Sequence, residues 1–348
     1  MTHAESNDNR VRFYRTQRGW SQAELAIKAG ISRTAVTAIE GRRLVPSVAA
    51  ALGLAAALSV TVEELFGQRD AAIAEPVWAW QGAASRQFWR ADIGERSVRY
   101  PASSLPMLTP LPDDASLGLA AKPDETLVIA CCDPAAGLLA SQFASATGMR
   151  LLVLPLSSRQ ALEMLREGTV HMAGLHLETR DTPDRNAHVV REFLGIDHQL
   201  VRIARWQEGI ALAPTAKLRS LRAVTNARLT WVGREAGSGA RQCMDRLLGE
   251  RAAPRRLARN HRGVTEAVRS GWADAGVCVQ LASAEAGLDF LSVQEEAYDL
   301  CFPTSLADDR RIKAFLGVVR STAYRKLLGE LPGYDNSETG SVRGADMK

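Results

Sequence analysis

At 348 residues, 46% hydrophobic and 24% charged, the chain outgrows a single core and is too apolar to stay disordered, so two or three globular domains are expected. No run reaches the roughly 18 uninterrupted apolar residues of a membrane span. The polar start "MTHAESNDNR" has no apolar export region, which points to a cytoplasmic protein with no membrane partner. A net charge of +4 by itself names no partner, and the five cysteines, Cys131, Cys132, Cys243, Cys278 and Cys301, sit in apolar runs and read as reduced core residues.

The charge is concentrated at the N-terminus. Between Arg10 and Val45 stand Arg10, Arg12, Arg15, Arg18, Lys28, Arg33, Arg42 and Arg43 against Glu24 and Glu40, a net of +6. The same stretch is rich in helix punctuation. "SQAE" (Ser21 to Glu24) is a capping box, Gly30 ends its helix, and Ser32 caps the next, "SRTAVTAIE". In that helix Ala35, Val36 and Ile39 form an inward face, while Arg33, Thr34, Thr37 and Ala38 look outward. "TVEE" (Thr61 to Glu64) opens a last helix that buries Leu65 and Phe66. Two short helices about a tight turn result.

"RGWSQAELAIKAGISRTAVTAIEGRRLVPS" resembles the Cro and lambda-repressor-like helix-turn-helix domains over residues 10–67. The resemblance makes the helix from Ser32 the recognition helix of a domain that binds double-stranded DNA. It implies Arg33 as a bidentate reader of guanine, Ser32, Thr34 and Thr37 beside bases or phosphates, and Gln22 on a phosphate. Arg42 and Arg43 would be phosphate contacts that position the domain. A solvated basic face that binds nothing is the plainer alternative.

Residues 68–122 read as a connector. "RQFWRADIGERSVRYPA" alternates large apolar and charged residues about a turn, which predicts a β-hairpin, with Trp78, Trp80, Trp89 and Tyr100 as packing residues. "SSLPMLTPLPDDASLGLAAKP" is a loop-like stretch rich in Pro and Ser.

From residue 123 strands and helices alternate. "TLVIACC" is a buried strand, followed by Asp133 as N-cap, Pro134 at the first helical position and a helix to Thr147 closed by Gly148. "RLLVLPL" leads into a helix with capping serines Ser157 and Ser158, and "VHMAGLHL" is a third strand. "QLVRIARWQEGIALAP" carries two strand-like halves, after which the pattern restarts with "LTWVG", a glycine turn and the helix "ARQCMDRLLGE". Two α/β lobes with parallel sheets and a ligand cleft between them are expected.

"DPAAGLLA", "GLHLET", "REAGSGARQCMD", "SGWADAGVCVQLASAEAGLDFL", "YDLCFP" and "GYDNSETG", in this order over residues 123–345, resemble the periplasmic-binding-protein-like domain of the molybdate-binding type. The sequence departs from that pattern at His171 and Leu175. The expected fold is therefore multi-domain, an all-α helix-turn-helix bundle followed by a two-lobed α/β periplasmic-binding-protein-like domain.

At the strand-to-helix junctions, Ser157, Ser158, Ser238 and Gly239 offer hydroxyls and free N–H groups to an anion, or the serines are simply helix caps. Arg234 and Arg241 either add donor forks to a ligand or pair with acids on the surface. His176 and Tyr298 are further cleft candidates. Asp133 either caps its helix or meets a cationic group. No G-x-S-x-G, H-E-x-x-H or phosphate-loop motif is present, and no metal-ligand spacing, so neither an enzyme nor a cofactor is expected. The expectation is a dimeric one-component transcription regulator sensing a small anion, with molybdate or tungstate suggested by the resemblance. The alternative is a DNA-binding scaffold whose C-terminal domain serves dimerisation.

Overall fold

The computed structural model describes residues 10–41, 43–66, 77–79, 87–102, 113, 122–249 and 254–345. The chain divides into two compact units, Met1–Ile73 and Ala74–Lys348.

The first unit holds helices α1 (Val11–Gln17), α2 (Gln22–Ala29), α3 (Arg33–Glu40), α4 (Val48–Leu58) and α5 (Val62–Phe66). The capping box forms as its spacing dictates: the Ser21 N–H donates to Glu24 at 2.7 Å and the Glu24 N–H donates to Ser21 Oγ at 3.2 Å. Gly30 closes α2 at φ 66°, a left-handed conformation that a side chain would resist. Ser32 then caps α3 by accepting from the Ala35 N–H at 3.0 Å. Val36 and Ile39 on α3 are fully buried against Leu25, Leu54, Leu58 and Leu65, which is the small core that fixes the turn. Phe66 packs at its edge, half-buried.

In the second unit the expected hairpin is present, β2 (Phe88–Ile93) against β3 (Arg96–Pro101), with the short β1 (Val77–Trp78) parallel to β3. Trp89 and Tyr100 are buried in a core shared with Val128, Leu152 and Leu162, so the hairpin belongs to the α/β unit. Trp80 and the side chain of Trp78 lie outside the described residues.

The main sheet carries β5 (Arg150–Pro155), β4 (Thr126–Cys131), β6 (Met172–Thr179), β11 (Asp289–Pro303), β7 (His198–Leu212), β10 (Ala275–Val279), β8 (Trp231–Gly233) and β9 (Arg256–Leu257), in that spatial order. The neighbours β5, β4 and β6 run parallel, as do β10, β8 and β9, giving one α/β layer per lobe. The helices include α6 (Ala136–Thr147), α7 (Ser158–Arg166) and α8 (Arg185–Leu194) in the first lobe, and α9 (Leu221–Asn226), α10 (Gly239–Leu248) and α11 (His261–Arg269) in the second.

Two features differ from the sequence reading. "QLVRIARWQEGIALAP" does not form two strand halves but lies mostly within one strand of 15 residues, β7, paired antiparallel along its length with the equally long β11. The sheet is therefore mixed, since β7 and β11 pass through both lobes and antiparallel pairs flank them. Most of β7 is buried without alternation, although Arg202, Arg205, Gln207 and Glu208 interrupt its apolar residues, and β11 is buried over its second half. Asp133 is not the N-cap of α6: that place falls to Ala135, because a turn at residues 134 and 135 precedes the helix. Asp133 instead accepts from the Ala135 N–H at 2.8 Å.

Candidate functional site

On α3, Ser32, Arg33 and Thr34 are exposed at the start of the helix, as a surface that meets a groove requires. Thr37 and Gln22 are half-buried and engaged with each other: Thr37 Oγ1 donates to Gln22 Oε1 at 3.0 Å, and the Gln22 amide donates to Glu40 at 2.8 Å. They link α2 to α3. Arg43 is exposed, and Arg42 lies outside the described residues.

In the α/β unit, the strand-to-helix junctions of both lobes converge on an interior site. Ser157 caps α7 in a capping box with Gln160, and Ser158 Oγ beside it is buried with no hydrogen-bond partner. Ser238 caps α10 through the Arg241 N–H at 3.3 Å. Gly239 follows, and a Cβ built there would lie 2.5 Å from His176 Cε1 and 2.9 Å from the His176 carbonyl. The first turn of α10 thus rests directly on β6, and the lobes touch.

Arg234 leaves β8 fully buried, with Glu235 accepting from its guanidinium at 3.2 Å. Against its own burial, Glu235 is held below the ordinary carboxylate pKa by Arg234. Arg241 does not join this set. Its Nε donates to Asp245 at 2.7 Å, because a residue one turn along the same helix is the nearest acceptor.

The long strands supply Tyr298, a candidate from the sequence, and three groups that sequence reasoning passed over, Trp206, Glu208 and Glu296. Trp206 and Glu208 stand on β7, Glu296 and Tyr298 on β11, all buried. Trp206 and Tyr298 stack at 4.5 Å between centroids, 16° from parallel. Glu296 Oε2 accepts from His176 Nδ1 at 2.6 Å and from Trp206 Nε1 at 3.3 Å, and Glu296 Oε1 accepts from Gln294 at 2.5 Å. Burial and the adjoining Glu296 push the Glu208 carboxyl well above its usual range, while Glu208 Oε1 has no partner. Burial also raises Glu296. For His176 burial opposes charging, but the Cys132 sulfur and Glu208 outweigh it and raise its pKa.

Asp133 is pushed up to about 6 by burial, although Tyr334 donates to it at 2.5 Å. His261, the first residue of α11, is held well below its usual pKa by burial, Arg234 and His176, and neither ring nitrogen has a hydrogen-bond partner. Beside this set lies a cavity of about 200 Å³ bordered by Cys132, Asp133, Asn260, His261 and Arg262. Leu175 points away, into the core with Leu162 and Val190, so its departure from the expected pattern does not touch this wall.

Alternation of Gly174, Leu175 and His176 along β6 could have placed His176 inward. Nothing in the sequence signalled that Cys132, His261, Glu208 and Glu296 would meet it, since they come from separate elements.

A sequence profile of the PBP superfamily domain matches residues 140–320, just over half of the chain. The chain belongs to the PBP superfamily. A helix-turn-helix domain profile matches residues 9–65, ahead of the PBP superfamily domain.

A Bacillus subtilis protein named "Uncharacterized protein YvgK" is 26% identical over 195 residues, covering 53% of this chain and 63% of that protein. A "Neisseria hypothetical transcription factor" from Neisseria meningitidis is 44% identical over 52 residues, covering 13% of this chain and 49% of that protein. The chain thus spans less than two thirds of the length of either relative. Among solved structures, PhnD1 from Prochlorococcus marinus in complex with methylphosphonate superposes with a TM-score of 0.45 at 12% identity, over 62% of this chain and 93% of that one.

Among the described residues, no helix is long and apolar enough to cross a membrane.

Proposed function

We propose that the protein is a cytoplasmic, homodimeric one-component transcription regulator whose helix-turn-helix of the Cro and lambda-repressor type reads an operator, and whose PBP domain holds a small anion between its lobes. One observation carries the ligand side: the start of α7 in one lobe, at Ser157 and Arg159, meets Glu235 and Gly237 just ahead of α10 in the other, beside the buried Arg234. Unpaired N–H groups at helix starts and a guanidinium favour an anion. Of the carboxyls nearby, Glu296 is answered by His176, Trp206 and Gln294, Asp133 by Tyr334 and the Ala135 N–H, and Glu235 by Arg234, while burial and Glu296 push Glu208 well above its usual range, towards its neutral form. Molybdate or tungstate fits this reading, as does a small carboxylate or phosphate. No cofactor and no turnover are part of it.

The anion would act by favouring the closed lobes, and a ligand shifts DNA binding only as far as it binds one state better than the other. The test is a thermal-shift screen of the full chain against molybdate, tungstate, sulfate, phosphate and small carboxylates, followed by operator titration with any anion that stabilises. A rise removed by Ser238→Ala or Arg234→Ala supports the reading. A second reading, the DNA-binding scaffold, draws on the direct Gly239 to His176 contact, which lets the lobes meet on protein groups alone. Silence across the panel, with dimerisation lost on deleting the PBP domain, would favour it.

A further inference from the structure

The buried interior contains a donor set that the anion reading leaves unused. Cys132 follows β4, His176 stands on β6 and His261 opens α11, and one candidate ligand atom from each lies within 4.8 Å of the others. We propose that Cys132, His176 and His261 bind a divalent transition-metal ion of the zinc class.

The first argument is the chemistry of the donors. One sulfur and two imidazoles suit a borderline or soft ion, whereas magnesium and calcium take oxygen ligands. Zinc bonds of about 2.0–2.1 Å to nitrogen and about 2.3 Å to sulfur put the donors of a tetrahedral ion about 3.3–3.6 Å apart. Cys132 Sγ and His176 Nε2 are 3.1 Å apart, so small side-chain rotations admit the ion.

The second is the support behind His176. A ligating histidine almost always donates its other ring N–H to a carboxylate or carbonyl, which fixes the tautomer and turns the lone pair to the metal. Glu296 accepts from Nδ1 at 2.6 Å, which leaves Nε2 to face Cys132. Glu296 is itself held by Trp206 and Gln294. It is a positioning residue in this arrangement, not a ligand.

The third is His261. It is fully buried and neither nitrogen has a hydrogen-bond partner, an arrangement that is costly in a dry interior because the lost hydration is not replaced. An ion within reach of Cys132 and His176 supplies the missing partner. The cavity bordered by Cys132 and His261 gives it access. Three protein ligands leave a fourth position open.

The test is a titration of the reduced, chelator-treated full chain with cobalt(II), which reports its ligands by colour. The expected result is one equivalent bound, with visible ligand-field bands and a near-ultraviolet thiolate-to-cobalt transition. Cys132→Ser should abolish the thiolate band, His261→Ala should weaken binding, and Glu296→Gln should weaken it by about 10- to 100-fold without losing the band. The exposed His188→Ala serves as control and leaves the titration unchanged. A wild-type chain with no thiolate band, or a band that survives Cys132→Ser in a variant with native circular dichroism, overturns the proposal. Because the readout is cobalt itself, its failure is distinct from failure of the anion screen.

Discussion

Arg15 on α1 and Glu40 at the end of α3 are joined by two hydrogen bonds, 2.6 and 3.0 Å long, across the first unit. Glu40 also accepts from Gln22, so one buried carboxylate ties α3 to both α1 and α2. Glu40→Ala would leave Arg15 and the Gln22 amide without their acceptor in a half-dry site. We expect a loss of about 2 kcal/mol in the stability of this unit, with weaker DNA binding as the placement of α3 loosens. Thermal melting of the full chain monitored by helical circular dichroism checks this, and an unchanged first transition would count against it.

The exposed start of α3 and the residues just beyond it should separate by kind of contact. Arg33→Ala should cost about 1 to 3 kcal/mol and relax one base position, because a bidentate base contact carries sequence information. Arg43→Ala should weaken binding evenly across sequences and reduce the salt slope by about 1. Titrations of operator and scrambled DNA at two salt concentrations separate them. Identical behaviour of the two variants would remove α3 from its role as reader.

Gly239 tests closure of the lobes. Its missing side chain is what lets α10 rest on β6, since a Cβ would meet the His176 ring at 2.5 and 2.6 Å and a backbone carbonyl at 2.9 Å. The carbonyl cannot rotate away as a flexible side chain would. Gly239→Ala should therefore open the lobes, raise the radius of gyration in solution scattering and weaken effector binding at least about tenfold, the equivalent of about 1.4 kcal/mol. A variant with unchanged scattering and unchanged melting would show that the contact yields easily.

How much of this was legible in the sequence follows from how local each signal is. Ser21 with Glu24, Ser32, Gly30 and Gly148 announce helix ends within a few residues, and the structure uses each of them at that end. The hairpin was legible for the same reason, as Trp89 and Tyr100 alternate with charged neighbours about one turn. The continuity of β7 was not, because Glu208 and Gly209 interrupt an apolar run and only the partner strand β11 shows that they lie within one strand. Nor was the meeting of Cys132, His176, His261 and Glu296, which depends on how two lobes close and leaves no spacing pattern along the chain. Arg241 misled for a complementary reason: its position at the first turn of α10 suited a ligand, but Asp245 one turn on holds it at the surface.

His171, outside the candidate site, contributes one part of the pH dependence of stability. Its Nδ1 accepts from the Val128 N–H and its Nε2–H donates to the Asp92 carbonyl, both at 3.0 Å, which ties the hairpin to the main sheet through a neutral ring. Burial, helped by Arg311, lowers its pKa from 6.5 to about 3. Between those values the unfolded chain binds a proton that the folded chain refuses. The contribution is therefore complete above pH 6.5 and declines as the pH falls towards 3, by about 1.4 kcal/mol per pH unit. Asp133 works in the opposite sense: raised from 3.8 to about 6 by burial, it stabilises below pH 3.8 and loses that contribution as the pH rises through 6. The difference between wild type and a variant isolates His171. His171→Asn should be less stable by about 2 kcal/mol near neutrality, having lost part of a buried hydrogen-bonded bridge. That gap should narrow as the pH is lowered below 6, since only the wild type has a buried ring to protonate. Urea denaturation at a series of pH values, followed by near-ultraviolet circular dichroism, measures it, and parallel profiles for the two proteins would refute the assignment.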